Sequence, residues 1–329
     1  MCTGIRFTDN EGNMYAGRNL DWECGYGEKV TVTPREYVRP YAFEQHATGF
    51  ATIGTCIVVE DIPLYFDCGN EKGLYIAGLN FPGYAQYEAG AVEGKTNVAA
   101  YEFPLWVASS FTSVDEVEAA LENVAIVAKQ VNEQYPVALL HYIICDAKRS
   151  IVVEYMADGM HVHHNDVDVL ANQPTYDWHH EHLRSYLNLS SEFKPQVKWG
   201  NVEFAPYGSG ENLVGMPGSN YSPDRFVRAA YYNTHYPAQQ GESANVTRLF
   251  RTLGSVEQFL GGGLMEDGKY EYTIYTGGFS SATNTYYMSL YEDPAIKPYP
   301  MSAVDLDSST LHTFASVSYT HLTLPTNSL

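Results

Sequence analysis

The chain reads as an α+β protein, a single domain of sheets with helices on their outer faces. Three observations predict this. Short strands come in groups joined by tight turns. Helical segments with capping signals fall between those groups rather than between single strands. Tyrosine is unusually frequent, 27 of 329 residues, and suits broad half-buried sheets. No linker, repeat or low-complexity stretch divides residues 1–314.

Taken in order, residues 3–7 and 14–19 flank Asp9-Asn10-Glu11-Gly12, a hairpin signal. Strands follow over 29–33, 52–59 and 64–67, and another spans 74–80 after the turn Asn70-Glu71-Lys72-Gly73. A later group covers 138–145, 150–155, 160–163 and 167–171, and a last pair covers 270–275 and 285–291. Ser113-Val114-Asp115-Glu116 is a capping box, with Val114, Val117, Leu121 and Val124 on one helical face. Residues 176–187, 223–232 and 244–253 also read as helices, with Ser222 capping the middle one and Pro223 at its first position. The stretch 316–329 is rich in Thr, Leu and Ser and has no pattern joining it to what precedes. It reads as a non-native tail, like translated adapter DNA, after a domain covering 1–315.

The net charge of −20 repels phosphate backbones and anionic lipid, which argues against nucleic-acid and membrane-surface roles. Five cysteines, at 2, 24, 56, 68 and 145, are odd in number and lack the paired spacing of a zinc site. Residues 1–30 show no basic start followed by an apolar run, so a reducing cytoplasm is the expected location.

Cys2 raises the chemical question. Removal of Met1 would leave a thiol and a free α-amine on one carbon. That amine, with an ordinary pKa of about 7.7–8.0, accepts a proton near neutral pH without any histidine. The hairpin folds Arg18-Asn19-Leu20-Asp21 back beside the first strand. Arg18 near the thiol favours thiolate, and Asp21 is placed to hold the amine. Arg225, near a helix start where the dipole disfavours a cation, calls for a carboxylate partner, with Asp21 the candidate.

Met1-Cys2-Thr3-Gly4, Gly17-Arg18-Asn19-Leu20-Asp21, Asn70-Glu71-Lys72-Gly73-Leu74 and Gly78-Leu79-Asn80-Phe81-Pro82-Gly83-Tyr84 resemble the choloylglycine hydrolase family. So do Ser150-Ile151-Val152-Val153-Glu154, Leu170-Ala171-Asn172-Gln173-Pro174-Thr175 and Ser222-Pro223-Asp224-Arg225-Phe226. The motifs run in order to about residue 314 and are most similar to bile salt hydrolases of the bifidobacterial type. The resemblance implies the N-terminal-nucleophile fold, a four-layer αββα stack of two mainly antiparallel sheets between helices. It implies Cys2 as nucleophile, with Arg18, Asp21 and Arg225 organising its surroundings. The oxyanion donors it implies are the Asn172 side chain and the Asn80 backbone N–H. It further implies conjugated bile acids as substrate, a thioester intermediate, no metal or organic cofactor, and a homotetramer.

A steroid acyl group needs a broad apolar groove, for which Leu20, Val59, Phe66, Val131 and Tyr135 are the expected lining. Trp22-Glu23-Cys24-Gly25-Tyr26 is expected to border its mouth. A penicillin V acylase of the same family and a non-catalytic amphiphile-binding relative are the alternatives. Asn80 favours the bile-salt branch, where penicillin acylases tend to carry tyrosine, and the intact Cys2, Arg18, Asp21 and Asn172 disfavour the binding protein. The histidines at 161, 163, 164, 179, 180 and 182 lack a metal-ligand spacing with carboxylates.

Overall fold

The computed structural model describes residues 1–38, 41–43 and 49–315. The proposed tail, 316–329, lies outside the described residues. Two antiparallel sheets face one another. The first has six strands. β1 (Cys2–Thr8) and β2 (Met14–Trp22) lie near its middle, with Val169–Leu170 outside β1 and Tyr272–Ser280, Thr285–Leu290 and Lys297–Pro300 following β2. The second has eight strands. Its centre is β3 (Lys29–Thr33), β4 (Thr52–Val59), β5 (Ile62–Asn70) and β6 (Tyr75–Asn80), continued by Leu140–Cys145, Ser150–Met156 and Gly159–His164. His312–Thr313 adds its far edge beside β3.

Helices cover both outer faces. α1 (Phe103–Ser110) and α2 (Val114–Leu121) lie over the second sheet, and α3 (Tyr176–His182) follows the Val169–Leu170 strand. α4 (Ser222–His235) and α5 (Glu242–Gly254) pack on β1 and β2 of the first sheet. The core divides accordingly. One apolar cluster fills the space between the sheets and under α4 and α5, including Ile5, Tyr15, Ile53, Tyr75, Phe226 and Leu249. The other lies under α1 and α2, with Phe103, Val107, Val117, Ile144 and Val153. The four-layer αββα stack of an N-terminal-nucleophile hydrolase is therefore the observed fold.

The strand expectations hold to within a few residues, and three strands run longer. β2 continues through Asp21, β5 begins at Ile62 and ends at Asn70, and the strand expected at 270–275 spans Tyr272–Ser280. The capping box forms by half. The Ser113 hydroxyl accepts from the Glu116 N–H, whereas the Glu116 carboxylate turns to Thr112. Val124 leaves the helix it was assigned to and starts Val124–Val127, which pairs in parallel with Thr96–Ala99. The helix over 223–232 starts one residue early, with Tyr221 rather than Ser222 at the cap. α1 escapes a periodicity reading because it is apolar on nearly every side, with seven of its eight residues buried.

Close approach fixes the middle of the first sheet. A Cβ built on Gly17 would lie 2.3 Å from the Gly277 carbonyl oxygen. Gly17→Ala is therefore expected to destabilise the protein by about 2 kcal/mol, read as a lower thermal or denaturant midpoint. An unchanged midpoint would mean the two strands separate there without penalty.

Candidate active site

Register builds the site. β1 and β2 pair so that Cys2 faces Leu20 and Gly4 faces Arg18, which puts Arg18 and Asp21 on either side of the Cys2 end. Cys2 is buried, and the Arg18 Nη2 donates to its Sγ at 2.5 Å. Arg18 is itself fully enclosed. Its Nε donates to the Asn19 carbonyl, and its Nη1 to the carbonyls of Gly78 at 2.8 Å and Phe66 at 3.4 Å. Burial opposes the charge, but the Cys2 sulfur and the nearby Tyr275 and Asp67 outweigh it and hold the guanidinium above its ordinary pKa.

The other cysteines differ. Burial pushes the Cys56 thiol up to about 12 and raises Cys68 and Cys145 well above the ordinary value, so these are inert core thiols. Cys24 is exposed and none of the five is paired.

Asn172 follows the short Val169–Leu170 strand, which pairs with β1. Its Oδ1 accepts from the Cys2 N–H at 2.5 Å and from Arg225 Nη2 at 2.8 Å, and its Nδ2 donates to the Asn80 carbonyl at 2.7 Å. Asn80 faces Leu140 across the sheet while the next N–H, that of Phe81, bonds the Leu139 carbonyl. In an antiparallel ladder this alternation turns the N–H and C=O of Asn80 away from that neighbour. The structure thus brings both asparagines to the Cys2 end of β1. It differs from the expectation in one respect, since the Asn172 amide here rests on the Asn80 carbonyl.

One expected pairing, Arg225 with Asp21, is replaced. Arg225 does not bond Asp21; its Nη1 donates to the Cys2 carbonyl and the Thr3 hydroxyl, both at 2.6 Å, and its Nε to the Asn220 carbonyl. The reason is geometric, because α4 lies across β1 and presents Arg225 to the β1 backbone. The Asp21 carboxylate takes Gln258 Nε2 at 2.9 Å and the Thr273 hydroxyl at 2.6 Å. Its main chain meets Met1, donating to the Met1 carbonyl at 2.8 Å and accepting from the Met1 amine at 2.6 Å. The Met1 amine also contacts the Glu271 carboxylate.

Thr273, Gln258 and Thr3 were not singled out from the sequence. Thr273 becomes legible only with the sheet register, which sets it opposite Asp21 beside a bulge. His179, considered only as a metal ligand, instead donates Nε2–H to the Asn172 carbonyl at 2.8 Å. His163 lies between Asp177 and Glu154, and among the described residues no group of His, Cys, Asp and Glu is arranged to hold a metal.

Of the expected groove residues, Leu20 faces Cys2, and Phe66 adjoins the site through its carbonyl and stacks its ring on Tyr26. Val59, Val131 and Tyr135 are half-buried. They lie where Asn132 donates to Glu60 and ties the 131–135 loop to the β4–β5 turn. Glu23 reaches Lys269, which links the segment after Asp21 to the loop that carries Gln258 and Glu271.

A cysteine packed against a buried guanidinium at the start of a central strand, in an αββα stack, places the chain among the N-terminal-nucleophile hydrolases. A family model, linear amide C–N hydrolases of the choloylglycine hydrolase family, matches residues 2–314, and the chain belongs to that family. It is a hydrolase of linear amide bonds. The bile salt hydrolase/transferase of Bifidobacterium longum subsp. longum is 56% identical over 94% of this chain and 98% of its own. A solved mutant of the conjugated bile acid hydrolase from Clostridium perfringens superposes with a TM-score of 0.91 at 32% identity, covering 98% of this chain and all of that one. The penicillin V acylase from Agrobacterium tumefaciens gives 0.76 at 20% identity over 95% of this chain and 90% of its own, a likeness of fold.

Burial lowers the His179 imidazole from 6.5 to about 4. The unfolded chain takes up that proton below pH 6.5, and the folded chain only near pH 4. The contribution to stability is complete above 6.5 and lost as the pH falls toward 4, about 3 kcal/mol in all. Denaturant titrations across this window should show the loss, and His179→Gln should flatten it. An equally steep profile in that variant would contradict the assignment.

Proposed function

We propose that this hydrolase cleaves the amide bond of glycine- and taurine-conjugated bile acids, with Cys2 as nucleophile once Met1 has been removed. The observation that carries the reading is the Arg18 Nη2 at 2.5 Å from the Cys2 sulfur. The bile-acid substrates named in the relatives supply the substrate class.

In this reading, loss of Met1 turns the Cys2 nitrogen into an amine beside Asn172. The amine takes the thiol proton and the thiolate attacks the amide carbonyl. The oxyanion is received by the Asn80 N–H and the Asn172 side chain, each such donor being worth about 3 kcal/mol. The ammonium then protonates the departing glycine or taurine nitrogen as the C–N bond breaks. Water, deprotonated by the same amine, hydrolyses the thioester and restores the thiol. The steps balance without a cofactor.

Leu20 and Phe66 form the floor of the acyl groove, and Val59, Val131 and Tyr135 its rim. The exposed apolar side chains of Leu187, Phe193, Trp199, Phe204 and Val214 support self-association, with a homotetramer as the expected form. A cytoplasmic location fits the five unpaired thiols. Among the described residues no helix is long and apolar enough to cross a membrane. Residues 1–315 are taken as one domain and 316–329 as foreign to it, a reading that the family match ending at residue 314 supports.

Release of free glycine and taurine from conjugated bile acids, measured beside penicillin V, tests the proposal. Turnover of the bile conjugates is expected to fall by roughly 10³-fold or more in Cys2→Ser. Undiminished turnover would contradict the nucleophile, and a preference for penicillin V would contradict the substrate.

A further inference from the structure

A second buried acid follows Phe66, the β5 residue whose carbonyl accepts from Arg18. Asp67, on β5, is fully enclosed between the sheets and takes three tyrosine hydroxyls. Tyr275 donates to Oδ1 at 2.6 Å, and Tyr286 and Tyr75 donate to Oδ2 at 2.6 and 3.1 Å. Tyr286 also meets the Thr55 hydroxyl at 2.8 Å. Tyr275 and Tyr286 come from the first sheet, and Asp67, Tyr75 and Thr55 from the second. Both sheets carry a bulge at this level. One lies between Thr273 and Tyr275, and the other sets Thr55 and Cys56 opposite Asp67 and Tyr65, leaving Phe66 as the extra residue. That bulged Phe66 offers Arg18 its carbonyl.

No cation bonds Asp67 among the described residues. A buried carboxylate without a paired cation costs several kcal/mol, which hydroxyl donors offset in part. Burial raises its pKa, and Arg18 is the leading influence in the other direction, ahead of the three tyrosines. Phe66, which precedes Asp67 in β5, gives Arg18 its carbonyl, and the same guanidinium donates to the Cys2 sulfur, so one cation adjoins both.

We propose that Asp67 is a positioning residue for catalysis: its carboxylate, fixed by Tyr75, Tyr275 and Tyr286, sets how much of the Arg18 charge reaches the Cys2 thiolate. The inference rests on Cys2 being the nucleophile. Arg18 keeps its place through the carbonyls of Asn19, Gly78 and Phe66 whether or not Asp67 is charged. Neutralising Asp67 therefore leaves the guanidinium where it is but less compensated. The thiolate becomes easier to form and a weaker nucleophile, since nucleophilicity falls with thiol pKa. The other groups facing Asp67 do not reverse this. The three tyrosines are raised well above their ordinary pKa by burial, and so is Cys68, while the Cys56 thiol is held up at about 12.

The test is the pH dependence of Cys2 alkylation by iodoacetamide in the Met1-processed protein, followed by peptide mass spectrometry, with kcat and KM on a conjugated bile acid. Asp67→Asn should lower the alkylation midpoint by about one pH unit and kcat by about threefold, with KM little changed. Tyr275→Phe combined with Tyr286→Phe strips two donors and drives the buried carboxyl toward its neutral form. It should shift the midpoint the same way, and it carries the test if the asparagine variant does not fold. Midpoints matching wild type in a folded variant, with only thermal stability lowered, would reduce Asp67 to a structural clip and overturn the proposal. Failure of wild-type Cys2 to titrate at all would instead refute the nucleophile reading, and this inference with it.

Discussion

The contact between the Arg18 guanidinium and the Cys2 sulfur is the constraint around which the rest is arranged. A buried cation survives only where its donors are met and its charge is answered. Here three main-chain carbonyls, from Asn19, Phe66 and Gly78, take the donors that the sulfur does not. Those carbonyls belong to both sheets. The position of the guanidinium therefore depends on how the sheets stack, and the Cys2 sulfur inherits that precision from the fold rather than from a loop.

The two bulges show how the stack is adapted to the site. In a regular strand alternate residues share a face, and pairing advances one residue at a time. The irregularity after Thr273 lets Thr273 serve Asp21 and Tyr275 serve Asp67 from one strand. The irregularity at Phe66 turns a main-chain carbonyl toward Arg18 while Asp67 keeps its inward side chain. A second arginine, Arg225, does comparable work from the helical layer. It is fully buried with no carboxylate partner among the described residues, and burial lowers its pKa although Asp21 and Cys2 act in the other direction. It ties α4 to the carbonyl of Cys2 and to Asn172, so both residues are anchored by one side chain.

Much of this was legible in the sequence where the signal is local. The first hairpin, with its Asp9-Asn10-Glu11-Gly12 turn, already set Arg18 and Asp21 beside Cys2, and the register bears that out. The strands at 29–33 and 52–59 match the observed bounds because alternation and turn residues delimit them. What depends on distant pairing was not legible. The partners of Asp21 lie 237 and 252 residues away, and only the sheet register brings Gln258 and Thr273 to it. Asp67 read as an ordinary strand end, since the tyrosines around it are spread from 75 to 286. The replacement of the expected Arg225–Asp21 pair has the same origin. A helix-dipole argument identifies a cation in need of a partner, but which acceptors it meets depends on how α4 crosses β1.

The most direct test of the account is intact-protein and peptide mass spectrometry on enzyme quenched during turnover of a conjugated bile acid. The account predicts protein lacking Met1, with a bile-acyl mass increment confined to the peptide that begins at Cys2 and removed by hydroxylamine. An active protein that keeps Met1, or an acyl group found elsewhere, would contradict it.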